Sequence, residues 1–256
     1  MTNLLRSEFR KVTTLKYWWA LGLAPLLVGL FSGAISLPLI SGLSDEADDE
    51  VQAAVGAIGL LVALALVFVF SALFGAVNAG TEYRHSTITT TFLTTRGRDS
   101  VVAAKLLVSA LFGILYCLAI EIVSVPVLLI AGSDDVRLDG QMTAVLAVGL
   151  VASMLWALIG AGLALLTASS IASTVTIVVW YVMGEGIVRA ILAGFHLGSA
   201  GQWLPGSLTV SAFIGIVDES ALTSEPGTAV SLLCLALWAA AAGGLGWWVT
   251  RTRDIT

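Results

Sequence analysis

Six apolar stretches, each long enough to cross a bilayer as a helix, constrain the fold of this chain more than any other feature. A helix needs about 20 consecutive apolar residues to span membrane hydrocarbon. Only 11% of the residues are charged, against about 25% in an average protein, so most of the apolar surface must face lipid. The sequence predicts an all-α polytopic membrane protein, with residues 1–256 forming a single transmembrane domain of six transmembrane helices. These stretches are Tyr17–Ile40, Val51–Ala79, Ser100–Ala131, Met142–Thr167, Ile171–Ala193 and Thr228–Val249.

The positive charges collect on one side of the predicted bundle. Lysine and arginine are retained on the cytoplasmic side of a membrane. Ten of the twelve precede the first span, flank the gap between spans two and three, or follow the sixth: Arg6, Arg10, Lys11, Lys16, Arg84, Arg96, Arg98, Lys105, Arg251 and Arg253. The opposite loops carry acidic runs at 45–50 and 134–139, together with Asp218, Glu219 and Glu225. Both termini are therefore predicted to be cytoplasmic, and no removable signal peptide is expected.

The segment before the first span has the pattern of an amphipathic helix. At 100° per residue, one arc of residues 2–19 is apolar and contains Leu4, Leu5, Phe9, Val12, Leu15 and Trp19. Arg6 and Arg10 lie opposite this arc. The pattern predicts an N-terminal amphipathic helix in the membrane interface. The alternative is an ordinary basic tail that only follows the positive-inside rule.

The loop between spans five and six, residues 194–227, contains an apolar piece of its own. Leu208–Val217 is too short to cross the membrane and too apolar for a free loop. Such a piece is typical of a re-entrant or interfacial helix. The run Trp203-Leu204-Pro205-Gly206 is expected to form the turn that leads into it. At the other side of the fifth span, only Ala168–Ser170 separate spans four and five, which predicts a tight helical hairpin.

The sequence lacks the motifs of the common catalytic sites. No Gly-Lys pair occurs, so a phosphate-binding P-loop is absent. The two histidines, His85 and His196, fall on opposite sides of the predicted membrane, so one chain cannot assemble a histidine zinc site or a Ser-His triad from them. Cys117 and Cys234 lie inside apolar runs and are expected to be core residues. We therefore expect a chain without catalytic activity or a bound cofactor or metal, and without a nucleic-acid partner.

Polar residues inside the predicted spans are candidates for a translocation path, because such residues are costly in lipid. They are Asn78, Glu121, Glu185 and Arg189. Glu185 and Arg189 are four residues apart, so they share a helix face and can pair. The alternative roles are structural: a Glu185–Arg189 ion pair fixing a bend in the run MGEGIVRA, and a Glu121 carboxyl that binds backbone groups freed by Pro126.

The segment after the second span, residues 81–99, carries a recognisable pattern. Gly80 stands directly before it, and it contains Glu82-Tyr83-Arg84-His85 and the pair Thr87-Ile88. A basic turn at 96–98 and the pair at 104–105 follow before the third span. With the amphipathic N-terminal segment, the six spans and the outer re-entrant segment, this pattern resembles the membrane subunit (permease) of type 2 ABC exporters.

The resemblance implies a function for this segment. In that family it forms a cytoplasmic coupling helix that docks on a separate ATPase subunit. The residues implied at this interface are Glu82, Tyr83, Arg84, His85, Thr87, Ile88 and Phe92. The resemblance further implies a bacterial plasma-membrane exporter with two ATPase subunits, which hold ATP and Mg, and a second permease chain, identical or homologous, that shares the substrate path. The alternative for this segment is a solvated basic loop.

Other classes of function remain open at the level of sequence. A proton-coupled secondary transporter would use Glu121 or Glu185 as its proton carrier, although the sequence shows no repeat or broken helix of the usual kind. A membrane-embedded enzyme would need a converging nucleophile and base, and the spans offer carboxylates without a histidine or metal set. A non-transporting regulatory subunit is the third alternative. The aliphatic residues of the spans do not specify a substrate.

Overall fold

The computed structural model describes residues 2–27, 30, 49–85, 87–95, 97–131, 139–217 and 226–253. Helices account for nearly all of this part of the chain, and it contains no β-strand. A π-helical turn, Trp180–Gly184, joins α7 to α8, and a 3₁₀ turn, Gly198–Trp203, precedes α9. The ten helices of the described residues are α1 Thr2–Thr14, α2 Tyr17–Leu27, α3 Asp49–Arg84, α4 Ile88–Thr94, α5 Arg98–Ala131, α6 Gly140–Thr167, α7 Ser170–Val179, α8 Glu185–Gly194, α9 Pro205–Val217 and α10 Thr228–Thr252.

The all-α polytopic membrane fold predicted from sequence is confirmed. Five helical segments among the described residues are long and apolar enough to cross a membrane: Val62–Arg84, Arg98–Pro126, Gly140–Thr167, Ser170–Gly194 and Thr228–Thr252. They correspond to predicted spans two to six. For the first span, α2 supplies the helical residues Tyr17–Leu27, and its outer half, like the acidic runs at 45–48 and 134–138 and residues 218–225, lies outside the described residues.

Glycines allow the central helix α6 to touch its neighbours backbone to backbone. A Cβ atom at Gly160 would lie 1.9 Å from the carbonyl oxygen of Ala72 in α3, and one at Gly75 would lie 2.0 Å from that of Ala157 in α6. On the other side of α6, a Cβ at Gly246 of α10 would lie 2.6 Å from the carbonyl oxygen of Gly162 in α6. Small residues of this kind let membrane helices approach closely enough to gain packing energy.

A buried hydroxyl pair joins the same helices through polar contacts. Ser71 of α3 and Ser153 of α6 are fully buried, and their hydroxyl oxygens are 2.7 Å apart. The Ser153 hydroxyl also lies 2.7 Å from the carbonyl oxygen of Gly113 in α5, to which it donates. Because buried polar groups without partners are costly in an apolar interior, this chain of bonds fixes α3, α5 and α6 relative to each other.

The N-terminal helix is shorter than predicted. The sequence pattern gave one helix over residues 2–19, but α1 ends at Thr14, the chain turns at residues 15–16, and Trp18 and Trp19 belong to α2. Threonine hydroxyls compete for the last carbonyls of α1: Thr13 donates to Phe9 O at 3.1 Å and Thr14 to Lys11 O at 2.9 Å.

The predicted apolar arc is therefore split between two helices. Val12 is buried against the bundle, while Leu15 and Trp19, beyond the turn, are exposed. The ring of Phe9 packs on Phe112 of α5 with centroids 5.7 Å apart. Val12 and one side of the Phe9 ring therefore pack on the helix bundle of this chain, while Phe9 remains 42% exposed.

The second span does not end at Ala79 as predicted. Helix α3 continues to Arg84, so all of the run 80–85 except His85 is helical. No proline or Asx cap interrupts this stretch, and the Thr81 hydroxyl donates to Val77 O inside the helix. After a short break the chain forms α4, and α5 begins four residues later at Arg98.

The tight hairpin between spans four and five is confirmed. Ala168 ends α6 in the left-handed conformation, with φ 50°. Ser169 then caps α7 by accepting a hydrogen bond from Ala172 N at 3.2 Å. Serine at this position satisfies one of the free N–H groups at a helix start.

Helix α9 is the short apolar helix predicted between spans five and six, and it begins with Pro205, a favoured first residue. Its Thr209 accepts a hydrogen bond from the buried Trp156 indole at 3.0 Å. Trp156 lies about 24 Å from the first residue of α6, at 1.5 Å of helix rise per residue. At the other end, Ile216 O accepts from Gln141 at the start of α6. Helix α9 therefore runs from the middle level of α6 back to its beginning.

Candidate functional site

Four charged side chains meet where α1, α3 and α5 come together. The Lys105 ammonium lies 3.0 Å from a Glu8 oxygen and 2.9 Å from a Glu82 oxygen. The Lys11 ammonium lies 2.5 Å from the other Glu8 oxygen and 2.7 Å from the same Glu82 oxygen. Two lysines and two carboxylates thus alternate in a ring that we call the charge cluster. It joins the N-terminal helix to the two helices that flank α4.

The charge cluster is buried, apart from one lysine. Glu8 and Lys105 are each only 1% exposed and Glu82 is 8% exposed, whereas the Lys11 side chain is 40% exposed. A buried charge is tolerated only when it is paired and hydrogen-bonded, and the four formal charges here sum to zero. One oxygen of Glu82, Oε2, is buried without a hydrogen-bond partner among the described residues. The arrangement therefore depends on all four groups being present together.

Lys11 remains charged at neutral pH in this position. Burial disfavours its ammonium form, but hydrogen bonds and electrostatic attraction from Glu8 and Glu82 outweigh that effect and raise the pKa of Lys11 above its ordinary value. A group whose pKa is raised on folding contributes stability that is complete below its unfolded pKa and is lost as the pH rises through its folded pKa. The contribution of Lys11 is therefore complete at physiological pH.

A layer of neutral polar groups lies beneath the charge cluster. Asn78 of α3 is 5% exposed and donates to the Ser109 hydroxyl at 3.0 Å. Its amide oxygen accepts from the Tyr17 hydroxyl of α2 at 3.4 Å. Asn78, predicted as a path residue, thus holds α2, α3 and α5 together one turn from Glu82, and the described contacts give it this structural role.

Glu8 was not a predicted site residue. Lys11 was predicted only as an orienting cation, and Lys105 as an orienting cation and as part of the pair at 104–105. A signal was present in both cases. Glu8 lies four residues before Val12 and one before Phe9, so it falls inside the apolar arc of the N-terminal helix. Lys105 lies two turns inside α5. A charged residue on an apolar face indicates a buried partner of opposite sign.

The residues predicted to contact an ATPase are divided between buried and exposed positions. Arg84, His85 and Thr87 are exposed at the break between α3 and α4. Ile88 is buried and Phe92 is half-buried, whereas Leu93 is 80% exposed. The Glu82 carboxylate faces the charge cluster. These positions divide the segment into an inner face held by this chain and an outer face available for contact.

The inner face is also tied to the end of the last helix. Tyr83 and Thr250 place their hydroxyl oxygens 3.1 Å apart. The guanidinium of Arg98 lies 5.6 Å from the centre of the Phe92 ring and donates to the carbonyl oxygens of Arg251 and Arg253 at 3.1 and 2.9 Å. Arg98 thereby satisfies carbonyl groups that are left free at a helix end, and it connects α4 to α10.

The remaining path candidates lie elsewhere in the bundle. Glu121 of α5 is 6% exposed, and one carboxylate oxygen accepts from the Cys117 thiol at 3.3 Å. That oxygen would lie 3.1 Å from a Cβ atom placed at Gly149 of α6. Glu121 is thus enclosed between two helices.

The Glu185–Arg189 ion pair, one of the two alternatives for these residues, is not formed. The Glu185 carboxylate instead accepts from Gly206 N at 2.8 Å, from Ser207 N at 2.5 Å and from the Ser207 hydroxyl at 2.7 Å. Arg189 donates to the same Ser207 hydroxyl at 3.3 Å. The first N–H groups of α9 bind this carboxylate because they lack partners within the helix and carry the positive end of the helix dipole.

The four predicted path residues therefore occupy three separate places, and only Glu185 and Arg189 meet, through Ser207. Glu185 follows directly after the π-helical turn, a feature that often marks functional sites in membrane helices. The carboxylate fixes the start of α9 against α8.

Comparisons with known proteins complete these observations. A search of curated proteins found no match. The model of the family described as ABC-2 family transporter protein matches residues 4–185, which include α1, the charge cluster, the α4 segment and the helices up to the start of α8. Because this match covers more than half of the chain, the protein belongs to the ABC-2 family of transporter membrane proteins and is an ABC transporter permease.

Proposed function

We propose that this chain is the permease subunit of an ABC exporter, forming the substrate path with a second permease chain, identical or homologous. Separate ATPase subunits, two per complex and each holding ATP and Mg, supply the work. Residues 81–99 form the coupling segment on which an ATPase subunit docks. The observation that carries this proposal is the division of that segment into an inner face bonded to three helices and an exposed outer face.

The outer face has the chemistry of a small protein contact. Leu93 offers an apolar side chain that this chain leaves 80% exposed, and Arg84, His85 and Thr87 offer charge and hydrogen-bonding groups beside it. An apolar centre with a polar rim is the usual composition of a protein interface. Glu82, Ile88 and Phe92 act from the inner side by holding this surface in place.

Movement of the docked segment would reach the spans along three connections. The breaks on either side of α4 are short, so α3 and α5 follow it directly. The charge cluster carries the movement to α1, and Arg98 carries it to the end of α10. Closure of the ATPase subunits on ATP would therefore move four helices of the permease at once.

The proposed orientation places this end of the bundle and both termini in the cytoplasm of a bacterial cell, with the chain in its plasma membrane. The contacts of α1 with α3 and of α5 with α10 bring the basic segments to one end. Residues 194–227 then form an outer re-entrant region whose helix α9 starts at mid-depth. Helix α7 and the π-helical turn after it leave an apolar face open to lipid or to the second permease chain, with Ile171 of α7 58% exposed and Val182 of the turn 73% exposed.

Affinity purification from the native membrane tests this proposal. The tagged chain is expected to co-purify with a protein that carries a nucleotide-binding P-loop. Leu93→Asp is expected to lose that protein without losing thermal stability, because the side chain makes little contact within this chain. The matched control, Leu15→Asp, introduces the same carboxylate at an exposed leucine in the turn after α1, outside the membrane-spanning helices and the α4 segment. Recovery of no nucleotide-binding protein, or equal recovery with Leu93→Asp, would contradict the proposal.

A further inference from the structure

An apolar cavity of about 400 Å³ lies inside the single chain, between α3, α6, α9 and the π-helical turn. Four aromatic rings contribute to its wall. Phe68 and Phe213 stack with centroids 6.0 Å apart, and Trp156 and Tyr181 meet edge to face at 6.0 Å. Its volume falls in the range of pockets that hold small ligands, about 300–1,000 Å³.

The polar groups of the wall already have partners within the protein. The Tyr181 hydroxyl donates to Ala65 O at 2.6 Å. The Thr209 hydroxyl donates to Pro205 O at 2.7 Å and accepts from the Trp156 indole at 3.0 Å. Gly206 N donates to Glu185. Since a buried water needs two to four polar partners, this lining favours an apolar occupant over water or an ion.

The cavity opens towards the lipid-facing surface. Val210 lines it and is 57% exposed, and the residue after Tyr181, Val182, is 73% exposed. A molecule dissolved in the bilayer can therefore reach the cavity sideways, whereas an ion or sugar in water would have to cross apolar surface first. The aromatic wall favours a flat ring, because offset and edge-to-face ring pairs gain energy beyond their buried area.

We infer that this cavity binds a small, uncharged, lipophilic molecule that carries an aromatic ring and enters from the membrane. That this molecule is a transported substrate rests on the proposed function, because a permease of this orientation would take such a molecule from the bilayer. Binding itself needs neither an ATPase subunit nor ATP. It is therefore measured on the purified full chain in nanodiscs of phosphatidylcholine and phosphatidylglycerol.

The probe is an uncharged trifluoromethylphenyl diazirine, which labels the residues around it on illumination. We expect labelling of residues 205–214 to saturate and to be displaced by an excess of an unreactive phenyl analogue. Val210→Trp and Ala65→Leu add side-chain volume to the cavity wall, and each is expected to remove the labelling that the analogue can displace. Val175→Trp adds the same ring to an exposed position of α7 that does not line the cavity, and it is expected to keep the displaceable labelling.

Two results would overturn this inference. One is labelling that the analogue does not displace and that is equal in the two cavity-filling variants and in Val175→Trp. The other is quenching of Trp156 fluorescence by phosphatidylcholine with brominated acyl chains, which the analogue does not relieve. The Trp156 signal is the difference between the unmodified chain and Trp156→Phe. Such quenching would identify a lipid chain as the occupant. If displaceable labelling is found but the analogue does not stimulate ATP hydrolysis by the complex, the binding site stands and the proposed export of this class does not.

Discussion

Removal of Lys105 is the sharpest perturbation of the charge cluster. The Lys105→Met substitution keeps most of the side-chain volume in a position that is 1% exposed. It removes the cation that binds both carboxylates, at 3.0 Å from Glu8 and 2.9 Å from Glu82. Glu8 and Glu82 then share a single lysine, Lys11, and the buried group carries a net negative charge.

The size of the effect follows from burial. Removing one partner of a buried ion pair costs about 3–5 kcal/mol. Lys11 is 40% exposed and still contacts both carboxylates, so water and this lysine screen part of the excess charge. We therefore expect the contact of α1 with the bundle to weaken by about 2–3 kcal/mol. At 1.4 kcal/mol per factor of ten, the open population of α1 rises by about 30- to 150-fold.

Amide hydrogen exchange of residues 2–14, read by mass spectrometry on the chain in nanodiscs, measures this opening. The matched control is Arg10→Gln, which removes a cation from the exposed face of the same helix and is expected to change exchange by less than about 0.5 kcal/mol. The double variant Glu8→Met/Lys105→Met leaves the Lys11–Glu82 pair neutral, so it is expected to exchange more slowly than Lys105→Met alone. Equal exchange in Lys105→Met and Arg10→Gln would refute the reasoning.

Two further predictions concern the helix contacts. Gly160→Ala is expected to lower the melting temperature of the purified chain strongly, because its Cβ would lie 1.9 Å from Ala72 O. Gly244→Ala is expected to leave the melting temperature nearly unchanged, because Gly244 has open space around it. Equal melting temperatures of the two variants would contradict the backbone contact. Glu185→Gln is expected to destabilise the start of α9 by about 1–2 kcal/mol because it removes a charged cap, and Arg189→Gln by less because it removes one hydrogen bond. Hydrogen exchange of residues 205–210 measures this difference, and a larger effect of Arg189→Gln would contradict it.

Much of the helical architecture follows from local properties of the sequence. Predicted spans three, four and six differ from the corresponding helices by at most a few residues at either end, because each is a long apolar run with polar residues on both sides. The hairpin at Ala168–Ser170 was also predictable, since only these three small residues separate the fourth and fifth apolar runs and two of them are serines, which favour helix starts. The end of the second span was not, because a glycine such as Gly80 commonly ends a helix, whereas here it lets α3 pack closely on Ser170 and the helix continues to Arg84.

The charge cluster could be predicted only in part. A charged residue on an apolar helix face, such as Glu8 or Lys105, indicates that a partner exists but not which residue it is. These two are 97 positions apart in the chain. The same applies to Glu185, for which the sequence offered Arg189 as the nearest cation. Its real partners, the N–H groups of Gly206 and Ser207, become visible only once α9 is placed against α8.

Glycine contacts were unpredictable for a different reason. The chain contains 26 glycines, so suitable spacings occur throughout the spans. Gly75 and Gly160 face carbonyl groups of another helix, whereas Gly186 and Gly244 meet nothing within 4 Å. Which glycine lies at a contact depends on how the helices are rotated, and that rotation is set by the whole core.

Site-specific photocrosslinking tests the central claim, that residues 81–99 receive work from a separate ATPase, most directly. The photoreactive residue p-benzoylphenylalanine is placed at Leu93 or, as the control, at Leu233, two leucines that are 80% and 67% exposed. After illumination of intact cells, the account predicts that position 93 forms an adduct with a protein carrying a nucleotide-binding P-loop and that position 233 does not. An adduct of position 93 with lipid alone, or the same protein captured from both positions, would contradict it.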